Sequence, residues 1–177
     1  MDDFIIMPKM KRMIMLAFIS LVFVILGIYF LTSGQFESAK GPMIIGALTI
    51  IIFGLCFIYY VIVLIKREPA IIISKDGIFD KSSYIGAGLV RWTEIEAIDF
   101  INFSGQVYLG IFTIDRNLVI NRMTGIKKVF TQINKGLLDT QVNIPVKNLN
   151  CSMDELVDAI NERWEQALKT YNKQPRA

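Results

Sequence analysis

Histidine is missing altogether from the 177 residues, and cysteine occurs only twice. The first absence removes the side chain that most often serves as a general base and most often ligates zinc. Cys56 lies in an apolar run and Cys151 far along the chain, so no disulfide framework is expected. Charge is absent more selectively. Met13–Thr32 is twenty residues without a charged side chain, and Pro42–Ile65 is twenty-four. Acid is also lacking between Asp115 and Asp139.

The charge-free runs set the class of the protein. A helix rising about 1.5 Å per residue needs about twenty residues to cross a bilayer core, and only a helix or a closed barrel satisfies its backbone there. The first run holds thirteen Leu, Ile, Phe and Val residues and the second fifteen. Each such residue favours insertion by roughly 0.3–0.6 kcal/mol near the helix centre. Met13–Thr32 is longer than a signal-peptide core and has no Ala-x-Ala ending. A two-span hairpin is therefore expected over residues 1–68, and a soluble domain over 69–177. Lys9, Lys11, Arg12, Lys66 and Arg67 flank the spans, whereas the connection Ser33–Gly41 carries only Lys40. The positive-inside rule then puts both termini in the cytoplasm, with the domain at the inner leaflet. Gly46 and Gly54 offer close helix packing without a full GxxxG pattern.

Past Pro69 the composition becomes that of an ordinary globular domain, with 13 Lys and Arg against 12 Asp and Glu. So even a balance lacks the basic footprint of a nucleic-acid binder. Ala70–Ser74, Ile78–Ser83, Leu89–Thr93, Ile95–Asn102 and Gln106–Ile114 read as strands of an antiparallel meander, with Lys75-Asp76-Gly77 turning the first hairpin. Val119, Met123, Ile126, Phe130, Ile133 and Leu137 recur at helical spacing, which predicts one amphipathic helix over Asn117–Leu138. Thr140–Val146 reads as a last strand. Ser152-Met-Asp-Glu155 reads as a capping box opening a helix over Met153–Tyr171, with Val157, Ile160, Trp164, Leu168 and Tyr171 on one side. The expected fold class is α+β.

The stretches "EPAIIISKDGIFDKSS", "VRWTEIEAI" and "YLGIF" resemble an uncharacterised bacterial family of two-span membrane proteins with a pleckstrin-homology-like cytoplasmic domain. The resemblance covers nearly all of the chain after Glu68. It implies a bacterial plasma-membrane address, Trp92, Ile95 and Ile98 as core pins, Asp76-Gly77 as the first hairpin, and an amphipathic helix inserted before the last strand. Related proteins of this architecture are linked to immunity against membrane-active peptides. One compact fold, an inner-leaflet address and the absence of catalytic groups lead to the expectation of a non-enzymatic binding module, with the lipid bilayer and a protein or peptide as partners and with no nucleic acid and no cofactor.

Few residues suggest chemistry. Lys75 and Lys81 stand beside Asp76 and Asp80, a poor phosphate cradle by charge balance. Gly86-Ala87-Gly88 has no strand–turn–helix setting and reads as a turn. Glu94, Glu96 and Asp99 read as a solvated strand edge. An enzyme acting on lipid-borne substrates is the alternative function, but the sequence offers no base, nucleophile and metal set for it. The sharpest feature is the acid-free segment holding Arg122, Lys127, Lys128 and Lys135. Its narrow apolar stripe reads first as a face packed on the sheet, with the lysines in water. The second reading is a basic helix touching anionic lipid at the inner leaflet.

Overall fold

A computed structural model describes residues 2–33, 40–135 and 140–173, and the side chains of residues 40, 134, 135 and 171–173 lie outside that description. The chain divides into two compact units, Lys9–Glu68 and Met1–Pro8 together with Pro69–Ala177. The first is a helical hairpin of α1 (Met10–Thr32) and α2 (Lys40–Lys66). Both helices are long and apolar enough to cross a membrane, each with a mean hydropathy of 2.8. Their outward faces are apolar too, with Phe18, Leu55 and Ile65 exposed. The seam of α1 runs through Met13, Ala17, Ser20 and Gly27. A Cβ on Gly27 would stand 2.8 Å from Ile50 and 3.0 Å from the Gly46 carbonyl, so these two glycines let the backbones approach. Gly54, the other glycine expected to serve packing, has open space around it. Phe23 and Phe53 stack with ring centres 4.3 Å apart.

The second unit holds two antiparallel sheets. The first has the order β1 (Phe4–Ile6), β2 (Ile71–Ile73), β3 (Gly77–Asp80), β4 (Gly88–Arg91). The second has the order β5 (Ile95–Phe103), β6 (Gln106–Thr113), β7 (Val142–Pro145). Between β6 and β7 come α3 (Leu118–Arg122) and α4 (Gly125–Lys135), and α5 (Met153–Lys173) ends the described chain. The α+β class and the antiparallel strands agree with expectation, with the five expected strands divided between the two sheets. The strand boundaries shift by a few residues, and a one-turn 3-10 helix, Trp92–Glu94, separates β4 from β5.

The core is aliphatic. Ile71, Ile73, Ile78, Val90, Leu109, Ile111, Ile144 and Leu156 are completely enclosed. On β6 Leu109, Ile111 and Thr113 are buried. Buried Thr113 is satisfied: its hydroxyl donates to the Asp115 carbonyl at 2.8 Å, and Gln141 Oε1 accepts its N–H at 2.8 Å. Trp92 and Ile95 are buried and Ile98 packs against the core. The Trp92 indole donates to the Ser74 carbonyl at 3.0 Å, and its ring lies 5.8 Å from that of Trp164.

Three expectations need correction. The soluble unit does not begin at residue 69 alone, because β1 belongs to it. Phe4, Ile5 and Ile6 pair with Ile73, Ile72 and Ile71 across the whole helical hairpin. The Ala70 N–H donates to the Ile6 carbonyl at 2.8 Å, and the Asn150 N–H donates to the Met7 carbonyl at 2.9 Å. Burial of Ile6, only 2% exposed, secures the strand.

The expected single helix over Asn117–Leu138 is instead α3 and α4, broken at Met123–Gly125. Met123 is extended at φ −87° and ψ 147°, and Gly125 adopts φ +59°, a left-handed value that glycine tolerates best. Leu137 and Leu138 lie outside the described residues. Finally, Ile160 is buried and Trp164 packs against the core as expected, but Leu156, Ala159 and Arg163 complete the buried stripe of α5, while Leu168 is exposed. Arg163 is buried because its guanidinium finds carbonyls, donating to Ala159 at 3.2 Å and to Asp2 at 2.9 Å. Tyr171 lies outside the described side chains. The capping box is present: the Ser152 N–H donates to Glu155 Oε2 at 2.8 Å, and the Glu155 N–H donates to Ser152 Oγ at 3.2 Å.

Candidate functional site

Of the four basic residues singled out in the sequence, Arg122 is engaged within its own domain, Lys127 and Lys128 are exposed, and the side chain of Lys135 lies outside the described residues. Arg122, at the end of α3, grips Glu94 with both terminal nitrogens, at 3.1 Å and 2.6 Å, and donates to the Leu89 carbonyl at 2.9 Å. Glu94 also accepts the Arg91 N–H at 3.0 Å. Burial opposes ionisation of this carboxyl. The Arg122 hydrogen bond, the Arg91 amide and the charges of both arginines outweigh it and hold Glu94 below the usual carboxylate value. The forked pair ties α3 to the β4–β5 corner and leaves Arg122 occupied within the domain. Glu94, read in the sequence as part of a solvated strand edge, is its partner.

Lys127 and Lys128 are exposed on α4. The Lys127 ammonium stands 5.1 Å from the centre of the Tyr84 ring, a cation–π contact at the surface. Lys135 sits in the last turn of α4, and its side chain falls outside the described residues. The unexpected feature is the apolar face of α4, which Lys127 flanks. Ile126, Val129, Phe130 and Ile133 are 59%, 53%, 46% and 59% exposed, whereas Thr131 is 9% exposed. At about 100° per residue, Thr131 lies roughly 150° round the helix from the middle of that apolar face. So α4 turns a polar side toward its own domain and its apolar side outward. The expectation of a stripe packed on the sheet holds for Val119, which is buried, and stops at the break before α4.

Two hollows accompany these elements. A cavity of about 70 Å³ lies between the Asp80–Ala87 loop, α3 and the start of β7, with Asp80, Arg116, Thr131 and Asn143 in its wall. It is far smaller than the roughly 300–1,000 Å³ of a typical ligand site. Asp80 is buried, and its carboxylate accepts the Ser82 and Ala87 N–H groups at 2.8 and 2.9 Å. It fastens the loop after β3. A second, open groove of about 580 Å³ runs from the β2–β3 turn to α5. Lys75, Asp76, Arg91 and Trp92 form one wall, and Arg163 and Gln166 the other. Lys75 and Asp76 thus contribute to a groove of mixed charge, whereas Lys81 stands 5.4 Å from the Phe79 ring.

Comparison of the chain with protein-family models, with curated proteins and with solved structures finds no match, so the site stands on its own geometry.

Proposed function

We propose that this protein is a membrane-anchored, non-enzymatic interaction module, in which two spans hold a pleckstrin-homology-like domain at the inner leaflet of a bacterial plasma membrane. The observation that carries the reading is the pairing of β1 with β2. The two strands lie on either side of the helical hairpin in sequence and next to each other in one sheet. Their polypeptide must leave the membrane on the same face, as a two-pass hairpin requires. Three residues join β1 to α1 and four join α2 to β2, so the domain is tethered after β1 and before β2 by linkers reaching at most about 3.5 Å per residue. A domain tethered twice in this way samples partners in a thin layer of solvent beside the lipid. Five flanking cations on the domain's side against Lys40 in the connection favour the cytoplasmic face. Antiparallel sheets followed by a C-terminal helix support the pleckstrin-homology-like reading.

The groove between the β2–β3 turn and α5 is the docking place for a protein or peptide partner. Its volume suits a peptide segment, and its alternating charges suit a polar rather than a greasy one. A photo-crosslinking residue at Gln166 in intact cells tests this. The reading expects a discrete adduct from Gln166 that weakens in an Arg91→Glu background, and none from Asp99 on β5. Equal labelling from both positions, unchanged by Arg91→Glu, contradicts it.

A further inference from the structure

We propose that α4 is a membrane-docking helix that lays Ile126, Val129, Phe130 and Ile133 into the headgroup–acyl boundary of an anionic bilayer. The inference rests on the reading of α1 and α2 as membrane spans and names the surface that the tethered domain meets.

Three observations carry it. First, the amphipathicity of α4 is inverted for a domain helix. Its most buried described side chain is Thr131, and its four large apolar residues are about half exposed. Solvated helices of globular domains turn that face inward. Secondly, the inversion is built in by the backbone. Val119, Met123, Ile126 and Phe130 keep helical spacing, so one unbroken helix would carry them all onto the core. The extended Met123 and the left-handed Gly125 interrupt it and swing Ile126 and Phe130 away. Thirdly, the charges suit lipid phosphate. Lys127 flanks the apolar face about 110° round the helix from its middle, no acid occurs from Arg116 to Leu138, and Tyr84 sits against Lys127. An aromatic ring beside a lysine at an apolar margin is the usual composition of a membrane interface.

Lipid fits this face better than a second copy of the chain. Two α4 helices packed face to face would bring the flanking Lys127 toward its own likeness across a two-fold axis, whereas anionic headgroups neutralise it. An apolar face on an 11-residue helix is about 16 Å long. It binds weakly alone, and the twofold tether compensates by holding it near the surface at high effective concentration.

The full chain, with Cys56→Ala and Cys151→Ala, is reconstituted in phosphatidylcholine vesicles with or without phosphatidylglycerol. It carries one environment-sensitive fluorophore, at Val129→Cys, and the vesicles contain spin-labelled lipid as quencher. Asp99→Cys is the solvent control and Ile58→Cys the span control, with tryptophan emission confirming that each variant folds. The expected result is blue-shifted, lipid-quenched emission at Val129 in phosphatidylglycerol vesicles and none at Asp99. Lys127→Gln should lower the docked population by about fivefold, whereas Lys128→Gln, on the far side of α4, should leave it nearly unchanged. A Val129 label quenched no more than Asp99 in both lipids, while Ile58 is quenched, overturns the docking. An unquenched Ile58 overturns the membrane reading beneath it. Blue-shifted emission at Val129 that lipid does not quench, and that dilution of protein in lipid reverses, assigns the face to a second copy and overturns the proposal.

Discussion

Ile5 and Ile6 are adjacent, identical in chemistry and opposite in environment, and so give a direct probe of β1. Ile6 is 2% exposed, sits opposite Ile71 and belongs to the aliphatic core. Ile5 is 56% exposed on the other side of the strand. Ile6→Ala removes buried carbon and leaves a hollow between β2 and the segment around Leu149, at a cost of about 2–5 kcal/mol. Ile5→Ala should change stability by no more than about 0.5 kcal/mol. At about 4 °C per kcal/mol for a domain of this size, Ile6→Ala should lower the melting temperature by at least about 8 °C. Both tryptophans, Trp92 and Trp164, lie in the sheet-bearing unit, so tryptophan fluorescence of the detergent-solubilised full chain reports this unit alone. Equal and small effects of the two substitutions would refute the assignment of residues 4–6 to the domain's sheet.

Other outcomes follow from the same contacts. Glu94 titrates below its ordinary value in the folded state, so its contribution to stability is complete above the ordinary value and is lost as pH falls through the lowered one. Glu94→Gln should therefore cost about 1 kcal/mol at pH 7 and nearly nothing in strong acid, read from urea midpoints across pH; a cost independent of pH contradicts the ion-pair assignment. Ser152→Ala removes the cap of α5 and should cost about 1 kcal/mol, with Ser152→Asp recovering most of it in thermal melts. Gly77→Ala sets a Cβ 2.1 Å from the Val90 carbonyl oxygen and should destabilise the domain by at least about 2 kcal/mol. An alanine variant with wild-type stability would contradict the close passage of β4.

The legible features of the sequence were those written by local chemistry. Charge-free runs gave both long helices, Asp76-Gly77 the first hairpin, and Ser152 with Glu155 the cap of α5. The illegible ones depend on distant partners or on backbone choice. Three residues of β1 carry too little pattern to announce a strand whose partner follows two long helices. Arg163 is buried because carbonyls of Ala159 and Asp2 await it, which no helical period reveals. In the candidate site, the basic residues were visible but their fates were not. Arg122 is taken by Glu94 across a long sequence gap. The continuous spacing from Val119 to Ile133 concealed a break at Gly125, although glycine inside a helical pattern is the signal that could have exposed it.

The central claim is that the chain crosses the bilayer twice and returns to complete one sheet on the cytoplasmic side. Labelling single cysteines with a membrane-impermeant thiol reagent, in intact and in permeabilised cells lacking Cys56 and Cys151, tests it directly. The account predicts that Glu37→Cys reacts from outside intact cells, whereas Asp3→Cys and Asp154→Cys react only after permeabilisation. Asp3→Cys and Asp154→Cys found on opposite sides, or Glu37→Cys found on the same side as both, would contradict it.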